Sequence, residues 1–175
     1  MSDALKELEE IIKITLPENL VEDVIKVEEG HFDVLSPVSS AYDLMKILRE
    51  DAGIYHLSTI TGIENENDFN ICYHLQYRIE EEFKEVPINF IVTNVDKSKP
   101  KIPSMVDFFV SADYYEREIY DFFGIYFENH PFLQRLILPE MWPDDVRPLR
   151  KEYSWQQLKE ITMNLAKQVL EEAKK

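Results

Sequence analysis

Every second residue from Phe69 to Ile79 is apolar: Phe69, Ile71, Tyr73, Leu75, Tyr77 and Ile79 alternate with Asn70, Cys72, His74, Gln76 and Arg78. Successive side chains of a β-strand point to opposite faces, so the pattern predicts a strand with one buried and one polar face. Residues 55–63 predict the strand before it, joined through Asn65, Glu66 and Asn67. Ile88, Phe90 and Val92 mark the strand after the polar break at Glu80–Glu85. The three together read as an antiparallel meander.

Upstream, Leu5, Leu8, Ile11 and Ile12 recur at helical spacing over residues 4–14, and Pro17 blocks continuation. Residues 24–28 and 31–35 read as a hairpin around Gly30, ended by Pro37. Ser39 or Ser40 can cap a helix whose buried stripe is Leu44, Ile47, Leu48 and Ala52, and Gly53 suits the left-handed position past its last turn. Two helices and about five strands without βαβ alternation predict an α+β fold: one mixed or antiparallel sheet with helices packed on one face. At 175 residues one domain is expected.

A formal net charge of -15 repels phosphate backbones and anionic lipid, which excludes nucleic acid as a partner and leaves membrane contact only indirect. The opening Met-Ser-Asp-Ala-Leu-Lys-Glu lacks the basic start and apolar centre of a secretory signal, so a cytoplasmic location is expected. Cys72 is the only cysteine, and one thiol cannot hold an iron–sulfur cluster, so no cofactor is expected in this chain.

Asp113 followed three residues later by Glu116 has the spacing of a capping box, opening a short helix that Gly124 closes. Tyr115, Ile119, Phe122 and Phe123 give it an aromatic side. Residues 124–153 then hold four of the nine prolines and no periodicity, which predicts an extended segment. Its apolar side chains, from Phe127 to Trp142, need protein to lie against, either the chain's own core or a neighbouring subunit. Ser154 with Gln157 then caps a final helix striped by Leu158, Ile161, Leu165 and Val169. The chain thus divides into a core over residues 1–123, a strap over 124–153 and an amphipathic helix over 154–175.

The stretch from Glu116-Arg117-Glu118 through Asp121, Phe123-Gly124-Ile125 and His130-Pro131 to Arg135-Leu136 resembles the signature of the 30-kilodalton subunit family of respiratory complex I. Ile102-Pro103-Ser104 and Pro148-Leu149-Arg150-Lys151-Glu152-Tyr153 extend the likeness over residues 102–153. Phe109 and Tyr114 stand where that family often carries tryptophan, and Val146-Arg147 replaces its Gly-His or Gly-Tyr. The resemblance implies a docking subunit without catalysis of its own, on the inner face of the cell membrane in the peripheral arm of a complex I-like oxidoreductase. Its implied partners are a large catalytic subunit, 49-kilodalton-like or hydrogenase-like, and iron–sulfur subunits. Iron–sulfur clusters, with nickel–iron in the hydrogenase branch, are then expected in those neighbours. The implied interface comprises Glu116, Arg117, Glu118, Asp121, Gly124, His130, Pro131, Arg135, Leu136, Pro148, Leu149, Arg150 and Lys151.

Read as residues alone, Arg117 and Asp121 share a helix face, and Glu116, Glu118 and Asp121 leave surplus negative charge. The cluster fixes the following strap, matches basic groups on a partner, or is a solvated face. Arg135, Arg147, Arg150 and Lys151 either pair with it or contact another subunit. His130 with Glu116 or Glu118 suggests acid–base work in a free-standing enzyme, although a bond to the turn at Pro131 explains the imidazole as well. His56, His74 and Cys72 lack the close spacing of a zinc site, and Gly30, Gly53, Gly62 and Gly124 form no phosphate loop.

Overall fold

The computed structural model describes residues 14–18, 20–21, 23–27, 31–79 and 84–172. The helix expected over residues 4–14 lies, apart from Ile14, outside them. Seven strands are described: β1 (Asp23–Val27), β2 (His31–Pro37), β3 (His56–Glu64), β4 (Asp68–Ile79), β5 (Lys84–Asp96), β6 (Lys101–Pro103) and β7 (Tyr126–Glu128). The α-helices are α1 (Ala41–Glu50), α2 (Ala112–Phe123) and α3 (Trp155–Glu172). None of them is long and apolar enough to cross a membrane.

Strands β1 to β5 form one mixed sheet in the order β1-β2-β5-β4-β3. The hairpin and the meander are antiparallel as their sequence predicts, with Val24 opposite Val34, Tyr73 opposite Ile60 and Tyr73 opposite Phe90. They join through a parallel pair, β2 with β5, which sets Val34 beside Phe90. The chain reaches it by crossing from β2 through α1 to the far edge and returning through β4.

One face of this sheet is the core. Phe32, Val34, Phe69, Ile71, Tyr73, Leu75, Ile88, Phe90 and Val92 are buried there against Leu44, Met45 and Leu48 of α1 and Ile119 and Phe123 of α2. Full burial of a side chain of this size contributes about 1.5–3 kcal/mol, so this face carries most of the stability. Met45 is fully buried while the predicted stripe member Ile47 is only half-buried at its rim. Ser40 stands at the N-cap of α1 without capping it, because its hydroxyl donates instead to the Leu20 carbonyl at 2.6 Å. Gly53 is left-handed, at φ 72°, as expected.

On the opposite face the polar residues of β4 meet their neighbours. Asn89 Nδ2 donates to Asp33 Oδ1 at 2.8 Å, its Oδ1 lies 2.9 Å from His74 Nδ1, and His74 Nε2 lies 2.9 Å from Thr61 Oγ1. Both His74 nitrogens are thus engaged by side chains across the sheet. Cys72 is buried on this face.

The segment after β5 differs from expectation. Short β6 pairs in parallel with β7, Ile102 beside Phe127, on either side of α2 in sequence, and three-residue strands give no periodicity to read. Residues 129–153 run as successive turns rather than extended. Trp142 N–H bonds to Pro139 O at 2.9 Å, Val146 N–H to Pro143 O at 3.3 Å and Arg150 N–H to Arg147 O at 3.0 Å, and in the last of these turns Pro148 presets the φ of the second position. Helix α3 keeps its predicted capping box: Ser154 N–H donates to Gln157 Oε1 at 2.8 Å. Leu158, Ile161 and Leu165 are half-buried, whereas Val169 is exposed.

Candidate functional site

Helix α2 starts without the predicted capping box. Ser111 is its N-cap and offers no side-chain bond, and Glu116 turns inward instead. Glu116 is wholly buried, where Oε2 accepts the Ser104 hydroxyl at 2.6 Å and Oε1 the Met105 N–H at 2.7 Å. Burial pushes its carboxyl up to about 8, helped by the negative charges of Asp113 and Asp107 and opposed by the two donors. Its role is internal, tying α2 to the segment after β6.

The next helical turns grip the strap by its backbone. Arg117 Nε donates to Gln134 O at 3.1 Å and a terminal nitrogen to Arg135 O at 3.0 Å. Immediately downstream, Asp121 Oδ2 accepts the N–H groups of Leu136, Ile137 and Leu138 at 2.8, 2.8 and 3.1 Å. Arg117 and Asp121 therefore do not pair with each other as their spacing suggests. Asp121 is fully buried, and its other oxygen has no hydrogen-bond partner among the described residues.

The C-terminal carbonyls of α2 hold the end of the strap. Arg147 donates to Tyr120 O at 3.1 Å and Asp121 O at 3.3 Å, Leu149 N–H to Phe122 O at 3.2 Å, and Arg150 Nε to Phe123 O at 2.7 Å. Cations suit this end of a helix, where the unpaired carbonyls carry partial negative charge. Gly124 ends the helix with φ 71°, as predicted, and its α-carbon faces Arg147 so closely that a Cβ would meet Nε at 2.8 Å. Arg147 and Arg150 thus bind the helix's terminal carbonyls rather than its carboxylates.

His130 has no exposed side-chain surface; its Nδ1 accepts the Phe132 N–H at 3.0 Å and its Nε2 lies 3.3 Å from Asp113 Oδ1. It is the turn-holding role, with Asp113 rather than Glu116 or Glu118 as its acid. Arg135 bonds to Pro139 O and pairs with Asp144, and the Lys151 N–H donates to Glu64 Oε2 at 2.6 Å. Pro131 and Leu149 are exposed, Pro148 is half-buried, and Leu136 lies at the surface. The sequence marks Ser104 and Asp113 but not their partners, Glu116 and His130, and the Asp121 partners were invisible because backbone amides carry no residue-type signal.

With its backbone fixed, the strap turns Phe132, Ile137, Met141 and Leu149 outward, 42–55% exposed, while Trp142 and Val146 fold beneath it, joined by the indole N–H to the Val146 carbonyl at 2.9 Å. The result is a rigid apolar face on an acidic chain. The family model for the respiratory-chain NADH dehydrogenase, 30 Kd subunit, matches residues 34–159, from β2 through the whole strap. The chain belongs to this family.

Among 30 kDa family relatives, the NADH-quinone oxidoreductase C subunit of Acidothermus cellulolyticus is 34% identical over 113 residues, 63% of this chain and 57% of that protein. Its counterpart of the same name in Streptomyces coelicolor is 31% identical over 140 residues, 79% of this chain and 54% of that protein. A C/D subunit of Phocaeicola vulgatus is 33% identical over 118 residues but is covered over only 22% of its length. The chain therefore spans little more than half of the first two proteins. In fold it resembles a chain of the archaeal membrane-bound sulfane sulfur reductase, with TM-score 0.67 and 20% identity over 90% of this chain and 89% of that one. It also resembles a trypsin-resistant fragment of Nqo5, with TM-score 0.58 and 24% identity over 72% of this chain and 98% of the fragment. The α+β architecture expected from the sequence is that of the 30 kDa fold, and the chain is a subunit of the complex I-like family.

Proposed function

We propose that this 30 kDa family chain is a non-catalytic docking subunit in the peripheral arm of a complex I-like membrane-bound oxidoreductase, and that residues 124–153 bind the large catalytic subunit. The supporting observation is the strap itself: Arg117, Asp121, Arg147 and Arg150 fix its backbone while its apolar side chains face outward. A preorganised apolar surface loses little entropy on binding, so more of its contact energy appears as affinity, and exposed apolar patches of this kind mark interaction sites. The partner is a 49-kilodalton-like or hydrogenase-like subunit with iron–sulfur subunits beside it. Iron–sulfur clusters, and nickel–iron in the hydrogenase branch, reside there. Contact with the cytoplasmic side of the membrane is through the complex.

Two branches remain. One is a membrane-bound hydrogenase or related ferredoxin-dependent complex; the other, which the names of the bacterial relatives support, is an NADH:quinone oxidoreductase proper. The free-standing enzyme reading has little support, since His130 is spent on Phe132 and Asp113. In the test, a tagged chain is copurified with its complex from native membranes. The double substitution Ile137→Asp, Met141→Asp lowers recovery of the large subunit at least tenfold while the isolated chain stays folded by circular dichroism. Undiminished recovery sinks the proposal.

A further inference from the structure

Strand β3 is an edge of the main sheet, paired only with β4 among the described residues. Exposed edges invite pairing with other chains, and proteins blunt them with charge, proline or bulges. From Thr59 to Ile63 the sequence is Thr-Ile-Thr-Gly-Ile, with neither charge nor proline, and its irregularity in register lies earlier, between Leu57 and Thr59. The opposite edge strand, β1, carries Asp23 and Lys26.

Beside this stretch runs a groove of about 250 Å³, floored by Ile60, Ile119, Phe122 and Phe123 and rimmed by Thr61, Glu118 and Leu149. That volume lies below the roughly 300–1,000 Å³ of small-molecule sites and suits a single apolar side chain. Bonds within the chain flank the Thr59–Ile63 stretch on both sides. The Tyr115 hydroxyl donates to Ser58 O at 2.8 Å, and the Lys151 N–H reaches Glu64. Glu118 is exposed and its side chain makes no hydrogen bond or ion pair among the described residues, so the rim carries one uncommitted carboxylate.

We infer that the β3 edge receives an extended segment of the partner subunit, adding a strand beside Thr59–Ile63, seating one apolar side chain in the groove and placing a Lys or Arg against Glu118. The inference rests on the docking reading above. Two observations select this occupant over a second copy of the chain: Glu118 on a chain of net charge -15 favours a basic segment, and Leu149 belongs both to the groove and to the outward face of the strap. Backbone pairing supplies affinity in such strand addition, and the side-chain pocket supplies specificity.

The test places photoactivatable benzoylphenylalanine at Thr61, and separately at Ile137, in the full chain within the copurified complex. The expected result is a Thr61 adduct with a partner peptide containing Lys or Arg, reduced about tenfold by Glu118→Lys while the Ile137 adduct is unchanged. An Ile137 adduct without a Thr61 adduct refutes strand addition and leaves the docking reading intact. Absence of both refutes the docking reading as well. A Thr61 adduct with a second copy of this chain, or one indifferent to Glu118→Lys, also overturns the inference.

Discussion

Gly62 of β3 lies so close to Phe123 of α2 that a Cβ there would come within 2.9 Å of the Phe123 ring. The ring cannot easily retreat, because it packs edge-on against Phe69, with centroids 5.9 Å apart. Overpacking of this kind costs about 1–3 kcal/mol, so Gly62→Ala is expected to lower stability in urea denaturation by that amount. Phe123→Leu in the same chain should recover part of the loss, a non-additivity that a double-mutant cycle measures.

Asp121 accepts three consecutive strap amides on one oxygen. Hydrogen bonds to a charged group contribute about 1.5–3 kcal/mol each when buried, but water replaces part of that at a half-exposed strap. Asp121→Ala should therefore cost about 2 kcal/mol and raise hydrogen exchange of the Leu136–Leu138 amides at least tenfold. Recovery of the large subunit should fall with it, although no exposed apolar side chain has changed.

Glu116 gives the fold a pH dependence of definite sign. In the folded chain its carboxyl stays protonated up to about 8, against 4.5 for an unperturbed glutamate. Between those values the unfolded chain has released a proton that the folded chain keeps, so stability falls as pH rises through the window and is flat below it. From about pH 5.5 to 8.5 the wild type should lose roughly 3 kcal/mol more than Glu116→Gln. Parallel slopes in denaturant titrations of the two proteins would refute this.

Gly124 combines a left-handed backbone with close contact to Arg147. Gly124→Ala should cost about 1–2 kcal/mol for the left-handed conformation alone. The clash with Arg147 adds to it. Thermal unfolding should show Gly124→Ala to be less damaging in an Arg147→Ala background, where the guanidinium is already gone.

Where burial or exposure is one-sided and local, the chain's residues reveal its structure. The β4 alternation is legible because one face meets α1 and α2 and the other does not. The Ser154 and Gln157 box forms as its spacing predicts because α3 begins in solvent, with no tertiary acceptor to compete. Ser40 and Glu116 depart from the same rule for the opposite reason: Leu20 O and the Ser104–Met105 pair, distant in sequence, outbid the local helix amides. The parallel β2–β5 pairing is equally non-local. For the strap, its apolar content and prolines reveal that it rests on protein. Its fastening does not show in the sequence, since Arg117 and Asp121 grip peptide groups that every residue possesses.

Cys72 sits on the far side of the sheet from α2, and burial together with Asp33 pushes its thiol up to about 12. At neutral pH almost none of it is thiolate, the form that reacts with maleimides and iodoacetamides. The native protein is therefore expected to label only slowly with such reagents. A cysteine introduced on the strap would report its own accessibility, bound and unbound, without first removing the natural one.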